Sequence, residues 1–595
     1  MSRLSTRLAL VEAIAYGVLG AIARVQAAAP LPPADAAIRE ADRSDMNERC
    51  TGIAARMHGH WPDGSTRLFP AALQRAGTEA TVSMGPGVPG AVISLPEHCE
   101  VSGVMHERGG DDGQRYAIHF HVRLPTQWNR KFFFQGGGGT DGDVGDALGH
   151  ISFSVPVALV QGFVVVSQDA GHDNATDSNP ARGGMAAFGF DAVARRDYGH
   201  SSLPAVSAAA KALIRGYYGE AAQRSYFVGC SKGGQEGMVF AQQDPEEFDG
   251  IVAADPGISL PRAALAQLWD VQSFSALAPQ PAARSGPRFT TLPSAFSEKD
   301  LLLVREAVLA ACDADDGLKD GIVGAFAECT DRKVVPQLQK RTCKPGKAEG
   351  CLSAAQVAAL RRSLQGPHDR HGKRLYAHWP WDAGIGSDAW RLWKLGQPGG
   401  MPALNLLLGG PATAAIFATP PSSIGADPQS ALDYALRFDF DRDAQRIYAT
   451  DPHFVTSSWN DISARSPDLS AFRAHGGKLI VPHGVSDPVF SIEDTLAWYH
   501  EVDARAGGTA RQFVRVFPVP GMGHCAGGPA TDSFDAFAAL RAWVEDGKAP
   551  ERIEGRAGPG TPWQGRSRPL CAYPAVAHYS GYGDPERAES FECRP

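Results

Sequence analysis

The chain has 595 residues and a net charge of −8, with a pI of about 6.1. With 43% hydrophobic and 21% charged residues it has the make-up of a soluble globular protein, long enough for two or more units or for one large core with an insertion. There is no basic excess, which excludes a nucleic-acid footprint, and 66 Gly with 43 Pro argue against a helical bundle.

Residues 1–29 read as an export signal. Arg3 and Arg7 precede a mostly apolar run over 8–23, and Gln26-Ala27-Ala28-Ala29 offers small residues for cleavage before Pro30. Glu12 and Arg24 interrupt the pattern, and an amphipathic or unstructured N-terminus is the alternative. No later stretch holds the roughly 20 apolar residues of a membrane helix. A secreted or periplasmic protein without a membrane anchor is therefore expected.

After the signal, 30–90 is loop-rich with some helical pieces. Strands are predicted at 91–95, 116–124, 131–135 and 164–168, then a helix over 202–218. A short buried strand at 224–228 runs into Gly229-Cys230-Ser231-Lys232-Gly233-Gly234 and a helix from Gln235. Further strands are predicted at 250–254, 478–482 and 512–517, and a helix at 532–545. Strands alternating with helices imply a mostly parallel sheet with helices on both faces. Between 258 and 465 the pattern changes to helices such as 298–311 and 353–364, mixed with Gly/Pro-rich loops. That stretch is expected to be an inserted lid domain, with a separate binding module as the alternative. The core would then be built from 30–257 and 466–595.

Gly229-Cys230-Ser231-Lys232-Gly233 matches G-x-S-x-G. A serine on a sharp strand-to-helix turn needs small neighbours, and the turn lifts its hydroxyl to a helix N-terminus where developing negative charge is favoured. An ordinary glycine-rich turn is the bland alternative. Serine needs a base, and the base needs an orienting acid. In α/β-hydrolases these follow in the order Ser, Asp or Glu, His. Asp487 stands just past the strand 478–482, where such sites are built. His524 stands in a glycine loop past the strand 512–517. Both fit the order, with His483 as the competing histidine. The oxyanion donors expected are the N–H of Lys232, after the nucleophile, and that of Gly138 in Gly136-Gly137-Gly138-Gly139, with Gly137 close behind. Trp379, Trp381, Trp390 and Trp393 are candidates for an aromatic wall or for lid core.

The ten cysteines are even in number, which in an exported chain implies disulfides. Cys312/Cys329, Cys343/Cys351 and Cys571/Cys593 are sequence neighbours, and Cys50/Cys99 is a plausible fourth pair. Cys230 and Cys525 remain. They flank Ser231 and His524, so they are either a bridge across the site or two buried thiols. Between Cys312 and Cys329, the run Asp313-Ala314-Asp315-Asp316-Gly317-Leu318-Lys319-Asp320-Gly321-Ile322 offers carboxylates from Asp313, Asp316 and Asp320 and carbonyls from Leu318 and Ile322. Those are ligands of the kind Ca2+ takes, though the twelve-residue EF-hand pattern is not matched. A solvated acidic loop is the equal alternative.

Cys230-Ser231, Asp487 in His483-Gly484-Val485-Ser486-Asp487, and His524-Cys525 together resemble the tannase and feruloyl esterase family of α/β-hydrolases, over nearly the whole chain after the signal. The resemblance implies a Cys230–Cys525 disulfide and a structural Ca2+ in the lid on the ligands named above, with no organic cofactor. It implies a monomer acting on a small aromatic ester of feruloyl, galloyl or terephthaloyl type. One member of the family grips a free substrate carboxylate with a lid arginine. The matching stretch 401–417 has no Arg or Lys, and Lys232 stands where that member has an acid. A bidentate carboxylate clamp needs a guanidinium, so a neutral phenolic ester is expected at least as readily as a terephthalate monoester. The alternatives are terephthalate monoester hydrolysis itself, a serine peptidase or acyltransferase, and a non-catalytic binding protein on the same scaffold.

Overall fold

The computed structural model describes residues 45–82, 91–152, 155–278, 288–345, 349–558 and 561–595. The expected export signal lies outside them. The chain divides into Met1–Met46, of which only 45 and 46 are described, and Asn47–Pro595, which holds everything below.

The core is a ten-stranded sheet. Its strands are β1 (Arg67–Leu68), β2 (Ala72–Gln74), β3 (His98–Gly109), β4 (Arg115–Pro125), β5 (Lys131–Gln135), β6 (Val164–Gln168), β7 (Arg224–Cys230), β8 (Gly250–Ala254), β9 (Lys478–Gly484) and β10 (Val514–Val519). The order is β1-β3-β4-β6-β5-β7-β8-β9-β10, with β2 also on β3. From β6 to β10 every pairing is parallel, while β1 to β4 join antiparallel. This is the mostly parallel α/β sheet expected. The central strands are apolar without alternation because both faces are covered. Phe132 and Phe134 pack into one cluster and Phe133 into the other. Helices α1 (Ser202–Tyr218) and α2 (Lys232–Gln243) cover the first face through Leu203, Val206 and Met238, and α11 (Ala536–Asp546) covers the second through Phe537 and Leu540.

The predicted strands and helices coincide with observed ones to within a few residues. The helix expected at 532–545 begins later, because Asp535 caps it by accepting the Ala538 N–H and Ser533–Phe534 pairs as a strand. β3 was not foreseen. It alternates only over Cys99–Gly103 before the buried run Gly103–Met105 breaks the pattern, and on its other face Glu100 meets His121 and Arg123 of β4, each at 2.9 Å.

Between β8 and β9 the described residues make no named strand. The helices of this segment include α3 (Leu260–Ser275), α4 (Glu298–Cys312), α5 (Asp331–Lys340), α6 (Ala354–Gln365), α7 (Asp388–Lys394), α8 (Leu404–Pro411) and α9 (Pro428–Arg437); β9 then returns the chain to the core and is followed by α10 (Ile492–Arg505). Serines 297 and 353 start α4 and α6 with capping boxes. Five disulfides are formed: Cys50–Cys99, Cys230–Cys525, Cys312–Cys329, Cys343–Cys351 and Cys571–Cys593. No helix of the described residues is long and apolar enough to cross a membrane.

Candidate active site

Parallel register brings the carboxyl ends of five strands to one edge. Gln135 of β5 lies beside Val228 of β7, Cys230 beside Ala254 of β8, and Gly484 of β9 beside Val519 of β10. The loops that leave this edge carry Gly136–Gly139, Ser231, Asp255, Asp487 and His524. Such an edge is where open α/β sheets place ligands.

Ser231 joins β7 to α2 with φ 65° and ψ −121°, a conformation that L-residues rarely adopt. The turn is possible because its neighbours lack side chains. A Cβ on Gly229 would lie 2.6 Å from the Gly233 carbonyl, and one on Gly233 would lie 2.6 Å from Gly137 O. The Ser231 hydroxyl is 2.8 Å from His524 Nε2, and His524 Nδ1 is 2.8 Å from Asp487 Oδ2. Asp487 is fully buried, and its Oδ1 accepts the N–H groups of Val489 (2.7 Å) and Phe490 (3.1 Å). Burial would raise the Asp487 carboxyl, but the charge and hydrogen bond of His524, with His483 beyond, hold it below its ordinary value. Phe490 and Trp393 flank the His524 ring edge-on, at 5.3 and 5.2 Å between centroids.

His483 makes no hydrogen bond to Ser231. It is buried against the Phe490 carbonyl (3.1 Å) and the Thr495 hydroxyl (3.0 Å), with Nε2 3.7 Å from Asp487 Oδ2. The Cys230–Cys525 bridge joins the residue before Ser231 to the residue after His524, with Cα atoms 6.1 Å apart.

The glycine loop after β5 is anchored on both sides. Gly136 donates to Val228 O at 2.9 Å, and Gly137 donates to Glu236 Oε2 at 2.9 Å. A Cβ on Gly137 would lie 1.9 Å from Asp141 Oδ2. Among the described residues, the Gly138 and Lys232 N–H groups have no partner. Lys232 turns its side chain inward, away from solvent. Its ammonium meets Glu236 at 2.9 Å and Asp141 at 3.6 Å, and stands 4.6 Å from the centre of the Tyr198 ring. Burial pulls the Lys232 ammonium down, and Asp141 and Glu236 more than offset that. Burial keeps Asp141 well above the carboxylate range, with Glu236 adding to the effect against the pull of Lys232.

Sequence reasoning passed over three groups. Asp255, at the end of β8, is buried with φ 39°, and its Oδ1 accepts the Gly484 N–H at 2.8 Å. Its carboxyl oxygen, a His483 nitrogen and an Asp487 oxygen all lie within 4.8 Å of one another. Asp382, from the segment between β8 and β9, accepts the Gly521 N–H at 2.7 Å and the Ser486 hydroxyl at 2.5 Å, binding the Asp487 and His524 loops together. Trp379 donates to Asp487 O at 2.8 Å. Glu236 was the third. Its spacing of four from Lys232 on a helix was the available signal. Of the four tryptophans considered, Trp393 borders the cavity. Trp381 bonds Asp331, and Trp390 packs on Phe274.

A cavity of about 210 Å³ opens between Ser231, His524 and the helices α3 and α8. Its walls include Leu260, Leu408, Phe417, Val489 and Phe490.

In the acidic loop, Asp313 Oδ1 accepts the Asp320 and Gly321 N–H groups. Asp316 accepts those of Leu318 and Gly324, and Asp320 pairs with Arg568 at 2.5 Å. The Leu318 and Ile322 carbonyls accept no hydrogen bond from the described residues. Burial, with Asp320 and Asp313 nearby, pushes the Asp316 carboxyl up to about 7. Free carbonyls beside mutually repelling carboxylates are a donor set that suits a hard dication. The three carboxylates do not converge to within 4.8 Å of one another. The acidic groups that do are Asp255/His483/Asp487 and Asp255 with the bonded Cys230 and Cys525.

A family model for tannase and feruloyl esterase matches residues 99–594. The mono(2-hydroxyethyl) terephthalate hydrolase of Piscinibacter sakaiensis is 40% identical over 561 residues, covering 90% of this chain and 89% of that protein. A probable feruloyl esterase of Arthroderma benhamiae is 28% identical over 548 residues, covering 89% and 91%. The crystal structure of feruloyl esterase B from Aspergillus oryzae superposes with a TM-score of 0.68 at 20% identity, over 92% of this chain and 100% of that one, a likeness of fold.

Proposed function

The chain belongs to the tannase and feruloyl esterase family and is a carboxylic ester hydrolase, and on that footing we propose that it cleaves small aromatic esters through an acyl-enzyme on Ser231. The observation that carries this is the line Asp487–His524–Ser231, with both links at 2.8 Å.

Ser231 Oγ attacks the ester carbonyl carbon while His524 Nε2 takes its proton. The carbonyl electron pair moves onto oxygen, and the N–H groups of Gly138 and Lys232 receive that charge. Those two donors suit the role because nothing else uses them. The C–O bond to the alcohol breaks, and His524 returns the proton to the leaving oxygen. Water, deprotonated by His524, then attacks the acyl-enzyme and releases the acid, and the proton goes back to Ser231. Asp487 holds the Nδ1–H tautomer and steadies the imidazolium.

Residues 258–465 serve as a lid, since α3 and α8 wall the cavity and Asp382 braces the loops beneath it. A calcium ion on Asp313, Asp316, Asp320 and the carbonyls of Leu318 and Ile322 would be structural, remote from the chemistry. The five disulfides favour an oxidising compartment, hence export. For the substrate, the cavity offers an apolar wall and no free cation among the described residues, because Lys232 is committed to Glu236. Esters of neutral phenolic acids therefore fit better than mono(2-hydroxyethyl) terephthalate, the substrate named for the 40% identical relative.

The test is a panel of ethyl ferulate, methyl gallate, mono(2-hydroxyethyl) terephthalate and chromogenic peptides. Hydrolysis of the phenolic esters above the others is expected. Cleavage confined to peptides would overturn the assignment.

A further inference from the structure

Besides Thr140 on the glycine loop, the cavity at Ser231 carries a polar side chain set among the apolar residues of its helical wall. Leu260, Ala264 and Gln267 lie at helical spacing on the face of α3 that borders it. Gln267 is only 7% exposed, and its amide makes no hydrogen bond with any described residue. Buried amides are nearly always paired, and this one keeps its donor and acceptor open to the cavity rather than sealed in the protein. The place for this one has been made by a glycine on the facing helix. A Cβ on Gly409 of α8 would fall 2.2 Å from Gln267 Oε1.

We propose that Gln267 sets the specificity of this cavity, its amide hydrogen-bonding an uncharged hydroxyl on the aromatic acyl group held there. The assignment rests on the ester-hydrolysing site proposed above. The acyl group is the part that stays on Ser231 once the alcohol has left, so the walled space between α3 and α8 is its place. Gln267 offers both a donor and an acceptor, which matches a phenolic hydroxyl. A carboxylate there would be buried without a cation. The Lys232 ammonium is held by Glu236 at 2.9 Å and His524 by Asp487 at 2.8 Å, and leaving an ion unpaired in an apolar wall is far more costly than burying a neutral hydroxyl. A pocket built around such an amide also discriminates against an analogue that lacks the hydroxyl, because the amide is then left unpaired.

The measurement is the ratio of kcat/KM for methyl 4-hydroxycinnamate to that for methyl cinnamate, which differ only in the hydroxyl. The intact protein is expected to favour the hydroxylated ester by about tenfold, the worth of one hydrogen bond between neutral groups. Gln267→Leu is expected to bring the ratio near unity. Gly409→Ala, which must push the amide out of place, is expected to do the same and serves as the second variant should the first not fold. If the intact protein cleaves both esters and neither substitution moves the ratio, Gln267 does not select the substrate and the proposal falls, while the ester-hydrolysing site stands. If the intact protein cleaves neither ester but does cleave methyl gallate or mono(2-hydroxyethyl) terephthalate, the proposal falls and the site stands; if it cleaves none of the four, the site itself is wrong.

Discussion

Glu236 accepts the Gly137 N–H at 2.9 Å while its other oxygen holds the Lys232 ammonium at 2.9 Å. One carboxylate thus fixes the two chain segments that carry the proposed oxyanion donors, the loop after β5 and the first turn of α2. Neither donor is touched by Glu236 directly. It acts through Gly137, next to Gly138, and through the side chain of Lys232.

Replacing Glu236 is therefore expected to lower kcat more than it raises KM. Glu236→Gln keeps an acceptor for Gly137 and loses the charge facing Lys232. Glu236→Ala loses both and leaves a buried ammonium short of a partner, at a cost of about 3–5 kcal/mol in stability. Loosening of the loop is expected to cost Glu236→Ala about a hundredfold in kcat, with Glu236→Gln in between. Steady-state kinetics beside urea denaturation separate the two effects. Equal kcat in all three proteins would show that the loop is held without this contact.

Asp255 lies against Asp487, with no Lys or Arg paired to it among the described residues, and burial together with the Asp487 charge pushes its carboxyl well above the usual range. The folded state then binds a proton that the unfolded chain releases above its ordinary pKa of about 3.9, so this group's contribution to stability falls as pH rises through that window. Asp255→Asn keeps a neutral oxygen for the Gly484 N–H and cannot ionise. The variant is expected to gain on the parent protein in stability as pH is raised above the ordinary carboxylate pKa, and to match it in acid. Thermal denaturation across pH reads this. A parent and variant running parallel at all pH values would mean that Asp255 is ionised in the fold.

The Cys230–Cys525 bridge spans 295 residues of sequence. In the chain-entropy account a loop of that length contributes up to about 5–6 kcal/mol. Its removal in a Cys230→Ala/Cys525→Ala double variant is expected to lower the denaturation midpoint. It is also expected to reduce kcat, because the residue after His524 is no longer tied to the turn that carries Ser231. Unchanged kcat in a folded variant would assign the bridge to stability alone.

Calcium at the acidic loop would stabilise the fold by about 2.7 kcal/mol at a hundredfold excess over Kd, and the melting temperature would keep rising with the logarithm of its concentration. Chelation should remove the gain, and Asp316→Asn should abolish the response to added Ca2+. A melting temperature indifferent to both Ca2+ and chelator would leave the loop a solvated turn.

Much of the site could be found in the chain before folding. Ser231 announces itself by glycines that the turn requires, and Asp487 and His524 each stand just past an apolar run that becomes a parallel strand. Asp255 occupies the same kind of position after β8, but an acid at a strand end says nothing of a second carboxylate arriving from β9. Gln267 follows Leu260 and Ala264 on one helical face, a pattern visible in the sequence. That its amide lies across Gly409 depends on how α3 and α8 pack, which no local pattern carries. Asp382 is hidden for the same reason. Its partners, Ser486 and Gly521, stand on separate loops about a hundred residues or more away in sequence, and loop-to-loop contacts of that kind have no periodicity. β3 escaped because its alternation, Cys99 to Gly103, is short and is broken by the buried run Gly103-Val104-Met105.

The most direct measurement treats the protein with an aryl phosphonate ester and maps the adduct by peptide mass spectrometry. Modification of Ser231 alone is expected, and it should vanish in His524→Ala, where no base is left to draw off the proton. A stable adduct on another residue, or none in a protein that still cleaves esters, would contradict the acyl-enzyme on Ser231.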